Sequence, residues 1–327
     1  MNCTSSQGLS ALVLALMWLP ASALPNAADS VAQVVRESTQ DNTRMSSCVL
    51  LAKANQPSPA QEPGARKKAL EQLSQKLKLN EVSFLRARGD VARKGLYGYP
   101  QDPAMALRMY EKASKSAEAG WNAALMQYRS ARGAMSPQVA KRILDVMQKS
   151  GASMPNSRGV VGAHAHYVAG LLHETGAAGT PDARKAFIHY RASARNAYVP
   201  GAYHYMRMLS QSLTRLPEAE RNVVLQEMRM MMNRWKWQSP EIMLLMGDMY
   251  AGKWFPDEGG FLSQHHWRMA MRMGGATEIA DFETFVKQRL KRLSPAKEKQ
   301  LEEAVEAGMR NTIKVKHELE YSDLCAE

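Results

Sequence analysis

Between Ala165 and Ala197 the apolar and polar positions fall into two short helical stripes separated by a break. The first stripe reads A-H-Y-V-A-G-L-L-H-E-T-G, the break is A-A-G-T-P-D, and the second reads A-R-K-A-F-I-H-Y-R-A-S-A-R-N-A. Apolar positions three and four apart predict an amphipathic helix on each side of the break. Gly176 stands where the first helix should end, and glycine enters the left-handed cap conformation at little cost. Asp182 stands where the second should begin, as an N-cap.

The same arrangement recurs. An earlier copy carries Gly89, Gly95, Asp102, Ala106 and Tyr110 at the offsets of Gly170, Gly176, Asp182, Ala186 and Tyr190, shifted by about 80 residues. A later copy carries Gly247, Tyr250, Gly252 and Trp267. Each gap is about two units of roughly 40 residues, the length of a helical repeat. The skipped units fall at Ala123 to Ser150, with Ser136-Pro137 as the turn, and at Gly201 to Trp237, with Leu216-Pro217 as the turn. Small residues such as Gly89 and Gly170 let paired helices approach, and Tyr110, Tyr190 and Trp267 fill the space towards the next unit. One hairpin cannot bury its apolar face alone, but stacked neighbours can. The expected fold is all-α: a solenoid of about five helix-turn-helix repeats with helical caps.

At these residues the chain resembles the Sel1-like repeat family, a relative of the tetratricopeptide repeats. That family's unit runs roughly A-x-x-x-L-G-x-x-Y-x-x-G, then D-x-x-K-A-x-x-W-Y-x-x-A-A. The copy from Ala165 to Ala194 fits best. In the copy from Arg88 to Ser114, Met105 and Met109 replace the expected Lys and Trp; the copy from Met246 to Gly274 is looser. The resemblance implies a binding scaffold or adaptor, with exported members tied to envelope assemblies or host interaction. It also carries an alternative, an envelope-acting hydrolase of penicillin-binding type. That branch has a cysteine pair in every repeat, which this chain lacks.

The remaining chain changes the picture in four places. Residues 1–23 hold no Lys, Arg, Asp or Glu, and the apolar run Leu9–Leu19 leads to Ala21-Ser22-Ala23, a secretory signal pattern. A periplasmic or secreted protein is therefore expected, with no transmembrane segment in the mature chain. Residues 24–80 read as a separate N-terminal helical region with a Pro-rich loop, 81–275 as the solenoid and 276–327 as capping helices. Within those caps, Ile279–Leu293 and Pro295 to about Leu319 read as two long helices. Once the leader is removed, Cys48 and Cys325 remain as an even pair, and a bridge between them would bring both ends of the mature chain together.

The sequence has 43 Lys and Arg against 31 Asp and Glu, a formal charge of +12. That balance allows an anionic polysaccharide, anionic lipid headgroups or an acidic protein surface; export argues against nucleic acid. No catalytic, cofactor or metal motif is present: no H-E-x-x-H, G-x-S-x-G, P-loop or G-x-G-x-x-G. Five of the eight histidines lie between His164 and His204, but His173 and His189 occupy aromatic packing positions of the repeat, so no metal site is assigned. The expected activity is non-catalytic binding of a protein partner, an envelope or secretion-system component. Tyr167, His173, Tyr203, Tyr205 and Tyr250 are the candidate binding residues on the inner helices.

Overall fold

The computed structural model describes residues 81–95, 100–132, 134–153, 160–274, 279–314 and 319–325. The expected leader, the N-terminal region and Cys48 lie outside these residues.

The helices pair in chain order. They are α1 (Glu81–Lys94) with α2 (Pro103–Lys112), α3 (Ala117–Ala131) with α4 (Pro137–Lys149), and α5 (Val160–Thr175) with α6 (Ala183–Arg195). Then come α7 (Val199–Ser212) with α8 (Glu218–Trp235), and α9 (Pro240–Ala251) with α10 (Phe261–Met273). Two more follow, α11 (Phe282–Lys287) and α12 (Pro295–Met309). Each pair packs on the next, so the described fold is an all-α solenoid of five helical hairpins.

Local chemistry sets the boundaries. Asp102 and Asp182 cap α2 and α6, accepting from the amides of Met105 (2.8 Å) and Lys185 (2.9 Å). Ser116, Ser136 and Ser239 do the same for α3, α4 and α9. Gly95 and Gly176 leave α1 and α5 in the left-handed region, at φ 68° and 67°. The third copy differs: Gly252 stays at φ −74°, and Lys253 takes the left-handed turn at φ 61°.

Three hairpins share one packing device. In the first, third and fifth, an aromatic ring of the second helix lies on a glycine of the first. A Cβ built on Gly89 would meet the Tyr110 ring at 2.6 Å, one on Gly170 the Tyr190 ring at 2.5 Å, and one on Gly247 the Trp267 ring at 2.4 Å. The ring then donates to an acid on that same first helix. Tyr110 Oη donates to Asp90 (2.6 Å), Tyr190 Oη to Glu174 (2.7 Å) and Trp267 Nε1 to Asp248 (2.9 Å). Buried Tyr and Trp need such a partner for their polar atom. The other two hairpins pack their glycines on serine instead, Gly120 on Ser150 and Gly201 on Ser193 of the preceding hairpin. This is why only the period, and no Gly-aromatic pattern, marks them in the sequence.

The C-terminal region departs from expectation. Ile279–Leu293 is not one helix; only Phe282–Lys287 is helical. The Gln264 side chain takes the backbone of Arg289 and Lys291 (3.2 and 3.0 Å), and Glu298 accepts from the Leu293 amide (2.9 Å). Partners on α10 and α12 thus replace the helical ladder. The next helix ends at Met309 rather than near Leu319. Beyond it the Ile313 amide donates to the Trp237 carbonyl at 2.7 Å. Helix α12 buries Leu301 and Val305 against α10 and faces it with charge pairs, Arg268–Glu298 (2.8 Å), Arg272–Glu302 and Arg272–Glu306.

Replacing Gly89, Gly170 or Gly247 by Ala should each cost about 1–3 kcal/mol, the range for overpacking a filled contact. Chemical denaturation checks this. A variant with an unchanged midpoint would mean the ring moves aside freely.

A clamped groove on the first helices

Residues 319–323, in neither helix nor strand, cross the first helices of the first three hairpins. This segment reaches them from the far end of the sequence, 200 or more positions away for α1 and α3. Asn122 on α3 grips the backbone of Ser322 in both directions. Its Nδ2 donates to the Ser322 carbonyl (2.7 Å) and its Oδ1 accepts from the Ser322 amide (3.0 Å). The amide side chain thus supplies one donor and one acceptor, as a neighbouring β-strand would. On α5, His164 Nδ1 accepts from the Glu320 amide at 2.7 Å, which puts a neutral ring's proton on Nε2.

Helix α1 reads the side chains. Arg86 and Arg93, seven apart, stand on one face of the helix. Arg86 Nη2 donates to the Ser322 hydroxyl (2.6 Å), and Arg86 Nη1 lies 3.7 Å from Glu118. Arg93 stacks on the Tyr321 ring, 4.4 Å from its centroid, and donates to the Asp323 carboxylate; Lys94 pairs with that carboxylate at 2.6 Å. The Arg93 Nε donates to Tyr110 Oη at 3.1 Å. The guanidinium is therefore positioned by the ring that also lies on Gly89. Burial, then the Asp90 charge, pushes the Tyr110 hydroxyl far above its ordinary range, so it stays protonated and donates.

The residues expected to form the binding face are distributed differently. Tyr167 and Tyr205 are core residues, 5% and 3% exposed. Tyr167 packs edge-on to Tyr198 and His204, and Tyr205 donates to Glu227 at 3.0 Å. A tyrosine at these inner helical positions faces the adjacent helix, so neither is available to a partner. Tyr203, Tyr250 and His173 are half-buried. Tyr203 lines a cleft with Arg207, Asp248 and Trp254, while Tyr250 stacks on His266 and His173 on His189. The rings that Tyr167, Tyr250 and His173 meet belong to the solenoid's own helices and the turns between them. Arg86, Arg93 and Asn122 belong to no repeat motif, and a basic pair seven apart is the only sign of the α1 stripe in the residues themselves; His164 shows in the sequence only as a member of the histidine cluster.

Three histidines of the third hairpin meet one another. His166 and His189 meet Nδ1 to Nδ1 at 3.0 Å, one donating and one accepting. Among the described residues no group of three or more His, Cys, Asp or Glu is arranged to hold a metal ion. Burial, then the neighbouring His166 and His173, hold His189 down at about 3; burial holds His266 down at about 4. Glu174 lies at about 2, lowered chiefly by its hydrogen bond with His204 and further by Arg207 and Tyr190.

No protein-family model matches the chain, and no curated relative does. A solved structure with similarity to it is a protective antigen present in uropathogenic Escherichia coli strains, described as displaying an SLR fold. It is 13% identical, covers 86% of this chain and 80% of its own, and superposes with a TM-score of 0.23. At that score the likeness carries no argument. The solenoid assignment rests on the helix pairing above. No described helix is long and apolar enough to cross a membrane.

Asn122→Ala should speed hydrogen exchange at the Ser322 amide by at least about tenfold, the worth of one hydrogen bond, with the solenoid amides unchanged. Equal protection in the variant would dissociate Asn122 from the tail. For pH, the depressed histidines have folded values below the unfolded one, so the unfolded chain binds protons first as pH falls. Their contribution is complete above about 6.5 and is lost towards about 3 to 4. Glu174 adds its own loss only below the ordinary carboxylate range, so thermal melts at about pH 7 and about pH 5 isolate the histidines. His189→Gln should narrow the gap between those two melts; a gap as wide as wild type would show that His189 does not titrate there.

Proposed function

We propose that the chain is an exported, non-catalytic Sel1-like repeat scaffold that binds a partner protein on the first helices of its first three hairpins. The observation that carries this reading is the double grip of Asn122 on the Ser322 backbone. A side chain that satisfies both main-chain groups of one residue is suited to holding a polypeptide segment whatever its side chains. Residues of one repeat's helix would add recognition to the next, as stacked repeats do.

The exported setting rests on the apolar leader of residues 1–23 and on the Cys48 and Cys325 pair, with Cys325 buried at 1% exposure. The partner in this reading is an envelope or secretion-system protein with an acidic face, matched to the chain's charge of +12. The family's envelope-hydrolase branch gains no support from any residue arrangement described above.

Cross-linking in intact cells, affinity purification and mass spectrometry test the reading. The expected result is one or two stoichiometric envelope proteins, reduced by Asn122→Ala combined with Arg86→Ala. Non-reducing peptide maps of the same sample should contain a peptide pair joined through Cys48 and Cys325. A clean preparation with no partner would count against the scaffold.

A further inference from the structure

We infer that the groove on α1, α3 and α5 selects a partner segment with an aromatic residue, a small hydroxyl residue and an acid in succession, and that residues 319–323 compete for it in cis. This rests on the scaffold reading above and narrows it to one groove and one ligand chemistry.

The grip on the backbone discriminates nothing, because Asn122 and His164 bond main-chain atoms at 322 and 320. Selection falls to α1. Tyr321 and Asp323, two positions apart, both meet the same guanidinium. Arg93 stacks on the ring and pairs with the carboxylate. The planar, five-donor guanidinium can do both at once, where a lysine could not. Ser322, between Tyr321 and Asp323, meets Arg86. A larger side chain there would displace the Arg86 contact, and a segment without the acid would leave Arg93 and Lys94 unanswered. These preferences belong to a segment of the type aromatic–Ser/Thr–Asp/Glu.

The occupant seen is held by hydrogen bonds and ion pairs that a competing segment could replace one for one. Leu319 and residues 321–323 are only half-buried and Glu320 is exposed. Leu319 and Tyr321 nevertheless pack against the solenoid core. The Ile313 amide is held by the Trp237 carbonyl six residues before Leu319, and Leu324 and Cys325 are buried just after Asp323, so the segment is tethered on both sides at high effective concentration. A tether of that kind lowers the apparent affinity for a free segment by the fraction of time the groove is open.

The probe is a fluorescein-labelled hexapeptide, Leu-Glu-Tyr-Ser-Asp-Leu, titrated by anisotropy against the full chain. Wild type should bind it weakly. Full-length chains carrying Asp323→Asn, or Tyr321→Ala with Asp323→Asn, should bind it at least about tenfold more tightly. Adding Asn122→Ala, or replacing the peptide's Asp by Asn, should remove that gain. Asp323→Asn keeps the side chain's shape, so a wild-type melt shows that the solenoid is intact. An intact Asp323→Asn chain that binds no better than wild type, or binding indifferent to Asn122→Ala, overturns the inference. A wild-type dimer by light scattering, with the tail of a second copy filling the groove, overturns it as well. In either case capture of an envelope partner by the wild-type chain would leave the scaffold reading standing, on another face. Loss of that capture with peptide binding intact would instead sink the scaffold reading and keep the groove.

Discussion

An aromatic ring lying on a glycine decides how close the two helices of a hairpin come. In the first, third and fifth hairpins a single methyl at Gly89, Gly170 or Gly247 would penetrate the ring to 2.4–2.6 Å. Close-packed interiors cannot absorb such an intrusion without moving a helix. The contact also brings a buried polar atom, the Tyr hydroxyl or Trp N–H, which must find an acceptor. The acid that answers it lies on the glycine's own helix, and an arginine then joins each set. Arg93 bonds Tyr110, Arg207 pairs with Glu174, and Arg289 pairs with Asp248 at 2.8 Å.

That third member links packing to recognition. In the third and fifth hairpins the arginine comes from a later element and ties one unit to the next. In the first hairpin it comes from α1 itself, so its remaining donors face outward. They take Tyr321 and Asp323 instead. In the first set the guanidinium that joins the ring therefore also holds the segment 319–323.

Much of this was legible in the residues alone. Asp102, Asp182, Gly95 and Gly176 act within a few residues of themselves, and caps and left-handed turns are local events. Gly89 with Tyr110 and Gly170 with Tyr190 recur at a constant offset, which makes a long-range contact visible as a period. The binding face was less legible. Tyr167 and Tyr205 sit at helical positions that read equally as groove or core, and only the neighbouring helix resolves them inward. Ile279–Leu293 carries a helical pattern, yet Gln264 and Glu298 offered its backbone other partners.

By itself the sequence determined the helical hairpin, its period and its caps, because each depends on short-range backbone chemistry or on a spacing that repeats; that Tyr110, Tyr190 and Trp267 lie on glycines of their own hairpins, where they were expected to fill the space towards the next unit, was decided by packing. The tertiary structure alone decided where residues 319–323 run and which side chains receive them. Asn122 and Ser322 are 200 positions apart, and no local preference in either one encodes the other. Their meeting depends on the rise and rotation accumulated over the intervening helices, a sum of small packing angles that no single stretch of sequence contains.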